Sequence, residues 1–502
     1  MKMKKIALAI AALGITPAAF ALTPAQIDTT TMRLWLTGSS SNFNAVFKAV
    51  MTLCKGVSYR DAGGNQTNPG VIDAHMYLES TGTAPGETSG DRVAYACTVD
   101  TFDNRARSLE GKKVVVYHTV EGGSFNAYAP HLRIAGDPNP NIPATLRRIR
   151  NVESLGDSCG AGAGYAHLVN ISGVKNFIKR YNSCATTPVT FTPGQALRAN
   201  VFQNPDRPEG GFSDMEYLIN QLNLNIATDL SSIGAEIPTN IGQGFGIAVS
   251  YPLYFQLQKN DITAGMIAAT CDDAPFAATA PNLTLACQPN LPAQRYTAAA
   301  YKDGAGAIDG SLFGGAVGSK VHLARRKITS DTQMASDMRF LNKPCATGES
   351  GGALEPSRST DSTATYVVTE SWSTDFVKTE LSNATNANEF GLGVVSMGNI
   401  PVGSGNKWAF VKLDRVSPNS DSFQRAEAIN GSYNFWYELV AFTASTAFLE
   451  GSDLIAGINT SLGNPELTNL PGLFITAAAG VSGSNVSKGY RNGNSCQPPV
   501  DL

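Results

Sequence analysis

Four short clusters of Ser, Thr and Gly each follow an apolar run and precede a helical pattern, and they are the residues whose types and spacing could do chemistry. Thr37 to Asn42, with Ser39 and Ser40, follow Leu34-Trp35-Leu36 and lead into Phe43, Val46, Phe47 and Val50. Gly122-Gly123-Ser124 follow the run Val114 to Tyr117. Ser213-Asp214 stand ahead of Met215, Tyr217, Leu218 and Leu222. Thr329-Ser330-Asp331-Thr332 follow a Val-His-Leu-Ala run and precede Met334, Met338 and Leu341. The first backbone N–H groups of a helix are unpaired and carry partial positive charge, so such a joint is a ready anion site, with hydroxyls as extra donors and Gly allowing close approach. One such joint is an ordinary N-cap; four in one chain carry more weight.

A different chemistry is suggested by Gly348-Glu349-Ser350-Gly351-Gly352, which resembles the nucleophile loop of chymotrypsin-like serine proteases. A serine there needs a histidine base and a carboxylate that orients it. The five histidines are His75, His118, His131, His167 and His322, and none stands in the Thr-Ala-Ala-His-Cys context of that family. Glu349 replaces the usual aspartate, and strands alternating with helices are not two antiparallel barrels. The expectation is a chain that is not an enzyme, with no catalytic residues, and the protease is the weakest of three readings.

The elements that must position the joints read as short apolar strands alternating with helices of 3.6-residue period, an α/β pattern. Ligands of such sheets sit at the carboxyl ends of strands, where the four joints lie.

In their order and context the joints resemble the phosphate-binding class of type II periplasmic solute-binding proteins, over roughly Met32 to Phe442. "LTGSSSNFN" matches the loop after the first strand, "EGGSFNA" the second loop, "GGFSDME" the Ser-Asp loop, and "ARRKITSDTQ" the Arg-bearing strand and its loop. The resemblance implies a two-lobed α/β fold, each lobe a mainly parallel sheet flanked by helices, closing on a small oxyanion such as phosphate. Thr37, Ser39, Ser40, Gly123, Ser124, Ser213, Ser330 and Thr332 would donate to it, and Arg325 or Arg326 would supply a charged fork. Asp214 would accept a proton from the oxyanion, which favours phosphate over sulfate. The chain departs from the family at Asp331, where the pattern has glycine. Facing inward, Asp331 would repel an anion; facing outward, it would cap its helix; a ligand with an amine or a metal ion would suit it differently.

The implied organisation places a first lobe at 22–243 with an insertion at about 55–110, a second at 244–390, a return at 391–450 led by "FGLGVVSMGN", and a C-terminal extension at 451–502. Lys2, Lys4 and Lys5, a short apolar run and Ala19-Phe20-Ala21 form a signal-peptide pattern over 1–21, so a periplasmic or secreted protein is expected, without stable membrane insertion. In an oxidising compartment the eight cysteines should pair. Local pairing gives Cys54 with Cys97, Cys159 with Cys184 and Cys271 with Cys287, leaving Cys345 with Cys496. No Cys-x-x-Cys spacing marks a metal site, and no cofactor is expected. A formal net charge of −3 with no basic cluster argues against nucleic acid. Partners are then a small oxyanion and a membrane transporter or surface partner. The second reading, from another class, is an extracellular interaction or structural protein on the same scaffold with a degenerate ligand site.

Overall fold

The computed structural model describes residues 26–67, 72–79, 91–101, 104–154, 159, 165–271, 280–301, 308–346, 352–358, 361–401 and 405–501. The signal-peptide segment 1–21 and the Gly348 to Gly351 part of the serine motif, with Ser350, lie outside these residues.

Fourteen strands form one sheet among the described residues. We number them β1 Met32–Gly38, β2 Ala74–Leu78, β3 Arg92–Thr98, β4 Lys113–Thr119, β5 Tyr165–Ile171, β6 Val174–Tyr181, β7 Gly210–Ser213 and β8 Gly234–Ser250. They continue as β9 Val321–Arg326, β10 Tyr366–Ser371, β11 Phe390–Ser396, β12 Trp408–Phe410, β13 Trp436–Ala444 and β14 Leu473–Ile475. The order is β10-β9-β11-β8-β13-β7-β1-β4-β3-β2-β6-β5, and β12 and β14 also pair with β8. The principal helices are α1 Phe43–Thr52, α2 Ala129–Ala135, α3 Tyr217–Leu224, α4 Tyr251–Thr263, α5 Asp331–Leu341, α6 Thr374–Asn386 and α7 Leu449–Leu462.

The fold is α/β and the sheet is mixed. Pairing is parallel where the joints sit, at β7-β1-β4 and at β10-β9-β11. Antiparallel pairs come from β2, β3 and β5, and from the crossing strands β8 and β13. The insertion at about 55–110 thus extends the sheet beyond β4, because β2 and β3 are alternating apolar strands that pair onward from it.

β1 and β4 are buried on both faces. Leu34, Leu36, Val114 and Val116 pack with α1 and α7, whereas Trp35, Val115 and Tyr117 meet Leu146, Ile149 and Phe191 on the opposite face. That alternation follows from the two-residue period of a strand. β8 is the long connection. Its Gly242 to Gly244 pair with β13, and from Phe245 it pairs with β11. Two strand groups therefore meet at one continuous strand.

Two expectations of organisation change. Phe390–Ser396 does not lead back to the first strand group; it pairs with β8 and β9, and the return is made by β13, which pairs with β7. The segment from Gly451 begins inside α7, whose Leu454, Ile455, Ile458 and Leu462 are core residues beside α1. It is held by the same burial as the rest of the core. The four expected disulfides are all present: Cys54–Cys97, Cys159–Cys184, Cys271–Cys287 and Cys345–Cys496. No helix among the described residues is long and apolar enough to cross a membrane.

Candidate functional site

The four joints converge. β1 ends at Gly38, and the chain turns so that the Ser39 N–H donates to the Phe212 carbonyl of β7 at 2.8 Å. Gly38 has φ +130°, and a Cβ there would stand 2.0 Å from the Phe212 oxygen, so only glycine lets β1 and β7 meet at this point. Thr37 Oγ1 donates to the Asn126 carbonyl at 2.7 Å, joining the first loop to the second. Gly123, at φ +95°, lies against the Thr329-Ser330 backbone and joins the second to the fourth.

At the centre lie two buried carboxylates. Asp214 accepts from Ser39 Oγ at 2.6 Å, from Ser41 Oγ through a short hydrogen bond, and from Ser124 Oγ at 3.3 Å. Asp331, the first residue of α5, turns inward. Its Oδ2 accepts from Ser213 Oγ at 2.7 Å and from the Asp214 N–H at 2.8 Å, while its Oδ1 is buried without a partner. The outward, capping orientation is therefore not adopted. Ser330, the N-cap of α5, and Thr332, in its first turn, are buried.

Burial, followed by the neighbouring Asp214 charge, pushes the Asp331 carboxyl up to about 8, against the lowering effect of the Ser213 hydroxyl and the Asp214 N–H that donate to it. Burial also raises Asp214, opposed by its three serine donors and by the Arg326 charge. Two adjacent carboxylates in a low-dielectric site do not both ionise readily, so the pair retains a proton near neutral pH.

Successive residues of β9 point to opposite faces, and that alternation separates the two arginines. Arg325 turns away and pairs with Glu370 at 2.8 Å. Arg326 is buried beside the cage, donating to Thr374 Oγ1 at 2.6 Å and to the Trp372 carbonyl at 2.5 Å. Its Nε has no partner. Burial lowers it to about 10, which leaves it charged.

Next to the cage is a cavity of about 620 Å³ at the carboxyl ends of β1, β4, β9, β10 and β11. Ser40, which is exposed, Ser41 and Arg326 reach it, as do Asp91, Thr329 and Trp372. Several of these escaped the reading of the sequence. Ser41 belongs to the same serine triplet as Ser39 and Ser40. Trp372 to Asp375 form a fifth strand–joint–helix unit, "TYVVTESWSTDFVKTEL", with the design of the other four, and Ser373 Oγ caps α6 by accepting the Phe376 N–H at 3.2 Å. Among the described residues no group of three or more His, Cys, Asp or Glu side chains is arranged to hold a metal ion.

No family model and no curated protein matches this chain. Among solved structures it is similar to a possible phosphate binding protein from Planctomyces limnophilus DSM 3776, at 10% identity, over 87% of this chain and 85% of that one, with a TM-score of 0.27. A superposition of that quality defines neither a common site nor a common ligand.

Proposed function

We propose that this chain is an exported, non-catalytic binding protein built as two lobes about β8, of the phosphate-binding-like type II kind, in which the oxyanion position is held by the protein's own Asp331 carboxylate. One observation carries the reading. The Ser213 hydroxyl and the Asp214 N–H, donors of the kind a bound oxyanion would use, are already spent on Asp331, and the Ser39, Ser41 and Ser124 hydroxyls on Asp214. An entering phosphate would have to displace Asp331 and leave its buried carboxyl without the Ser213 and Asp214 N–H donors, which costs roughly 1–3 kcal/mol when no new partner is offered. Four disulfides support export, because such bonds persist in oxidising compartments.

Calorimetric titration of phosphate, with sulfate as control, tests this on the native protein and on Asp331→Gly. The native protein should take up neither ion, and the glycine variant should bind phosphate. Tight phosphate binding by the native protein would show that Asp331 does not hold the site.

A further inference from the structure

The cavity beside the cage is too large for the ion that the joints suggest. At about 620 Å³ it falls among pockets that enclose small organic molecules, within the roughly 300–1,000 Å³ such sites occupy. Its surface combines an apolar part, including Phe43, Val120, Phe125 and Leu146, with the half-exposed Trp372 ring and two opposed charges.

The positive charge is Arg326. Its two outer nitrogens are fixed by Thr374 and the Trp372 carbonyl, while its Nε and the Thr329 hydroxyl, both in residues 4% exposed, have no hydrogen-bond partner. Buried donors of this kind are costly to leave unmatched. The negative charge is Asp91. The other two acids on the cavity are already paired: Glu121 with Arg92 at 2.5 Å and Asp375 with Lys378 at 2.6 Å. Asp91 is exposed and has no ion pair or side-chain hydrogen bond among the described residues; Arg92, already paired with Glu79 and Glu121, and after it Arg326 lie within its electrostatic reach.

We propose that this cavity binds a zwitterionic amino acid with an apolar side chain, its carboxylate at Arg326 and Thr329 and its ammonium at Asp91. The inference rests on reading the chain as a binding protein. A guanidinium matches a carboxylate geometrically, and the first turn of α6, which opens on the cavity, favours negative charge at the same end. The apolar surface and Trp372 then receive the side chain. A free oxyanion would leave Asp91 and the apolar surface without partners, and a simple amine would leave Arg326 without one. Arg326 faces Asp214 and Asp331 on the cage side, and these acids and Asp91 together make a lone carboxylate a poorer ligand than a zwitterion.

The test is calorimetric titration of the folded native protein with L-phenylalanine and L-leucine. Phenethylamine, 3-phenylpropionate and inorganic phosphate serve as the comparison probes. Both amino acids should bind, and each organic analogue lacking one charge should bind at least tenfold more weakly than phenylalanine. Asp91→Asn, whose folding is checked by its melting curve, should weaken phenylalanine at least tenfold and leave 3-phenylpropionate bound as well as before or better, since a like charge near its carboxylate is removed. Arg326→Gln should abolish binding of both, but its buried bonds make the Asp91 variant the decisive one. Equal binding of phenylalanine and either analogue, or no binding of either amino acid to folded protein, overturns the proposal. Phosphate uptake by native protein would instead count against the self-occupied cage, so the two failures are told apart.

Discussion

Asp331 opens α5, and its carboxyl turns into the joint rather than away from it. Inside, it meets a hydroxyl, an N–H and the positive end of α5, but also the Asp214 carboxylate, and it keeps a proton up to about pH 8. Glu236, which accepts the Tyr217 N–H at 2.7 Å, and Asp337 are pushed up to about 7, chiefly by burial. Unfolded, all three release their protons near pH 4. The folded state therefore binds more protons than the unfolded state up to these raised values, and stability falls as pH rises through them. Burial holds His75 near 4 and His118 and His131 near 3, so above pH 7 they are largely neutral in both states and scarcely enter. Native protein should lose stability between pH 7 and 9, with Asp331 responsible for about 1 kcal/mol. Asp331→Asn keeps an acceptor for Ser213 and the Asp214 N–H, so its loss over the same range should be smaller by that amount. Chemical denaturation at pH 7 and pH 9 measures both, and an equal loss in the two proteins would remove Asp331 from the account.

At the scale of elements, the cage depends on how closely the second and fourth joints approach. Gly123 has φ +95°, and a Cβ there would stand 3.4 Å from both Ser330 Cα and the Thr329 oxygen. Gly123→Ala should destabilise by about 1 kcal/mol or more from backbone strain alone. The added methyl would meet α5 only in ordinary van der Waals contact, so the cost is read as a lower melting temperature with the Asp331 titration midpoint unchanged. A variant as stable as native protein would remove backbone strain at Gly123 from the account. The joints themselves were legible in the sequence, because an apolar run, a small polar loop and a 3.6-residue period are local signals. The inward turn of Asp331 was not legible, since a capping residue has two orientations and the choice is made by Ser213 on another chain segment. In α3, Leu218 and Leu222 belong to the apolar pattern of the sequence, yet they are 55% and 49% exposed, and Tyr217, Ile219 and Leu224 take the core. A helix of eight residues offers too few turns for its pattern to settle which face is inside. The Gly, Ser and Asn of "LEGSDLIAGINTSL" mask α7 in the sequence, although Leu454, Ile455, Ile458 and Leu462 repeat at helical spacing.

In the whole molecule, the C-terminal segment ties the two strand groups together where β8 passes between them. β14 pairs with Ile241 to Gln243 of β8, just before the partner switch at Phe245. Further on, Ser495 donates its N–H at 2.6 Å and its hydroxyl at 2.5 Å to the buried Glu216, beside α3 of the first group. The next residue, Cys496, is bonded to Cys345, which follows α5 of the second group. The segment thus has one anchor on each side of the cage, and the packing across it is shared: Phe125, Met215 and Tyr217 lie in the same apolar cluster as Phe245, Met334 and Leu392. The Cys345–Cys496 bond spans 151 residues of sequence. On a chain-entropy account a closed loop of that length stabilises by about 5 kcal/mol, an upper figure because unfolded chains retain structure. Cys345→Ser/Cys496→Ser should therefore lower the urea midpoint markedly and steepen the denaturant dependence, since the uncrosslinked chain exposes more surface on unfolding. Cys271→Ser/Cys287→Ser, which opens a separation of only 16 residues, should lose about 2 kcal/mol less on the same account. If the two variants fall equally, or the shorter bridge matters more, the C-terminal segment is merely packed against the molecule and does not brace the two sides of the cage.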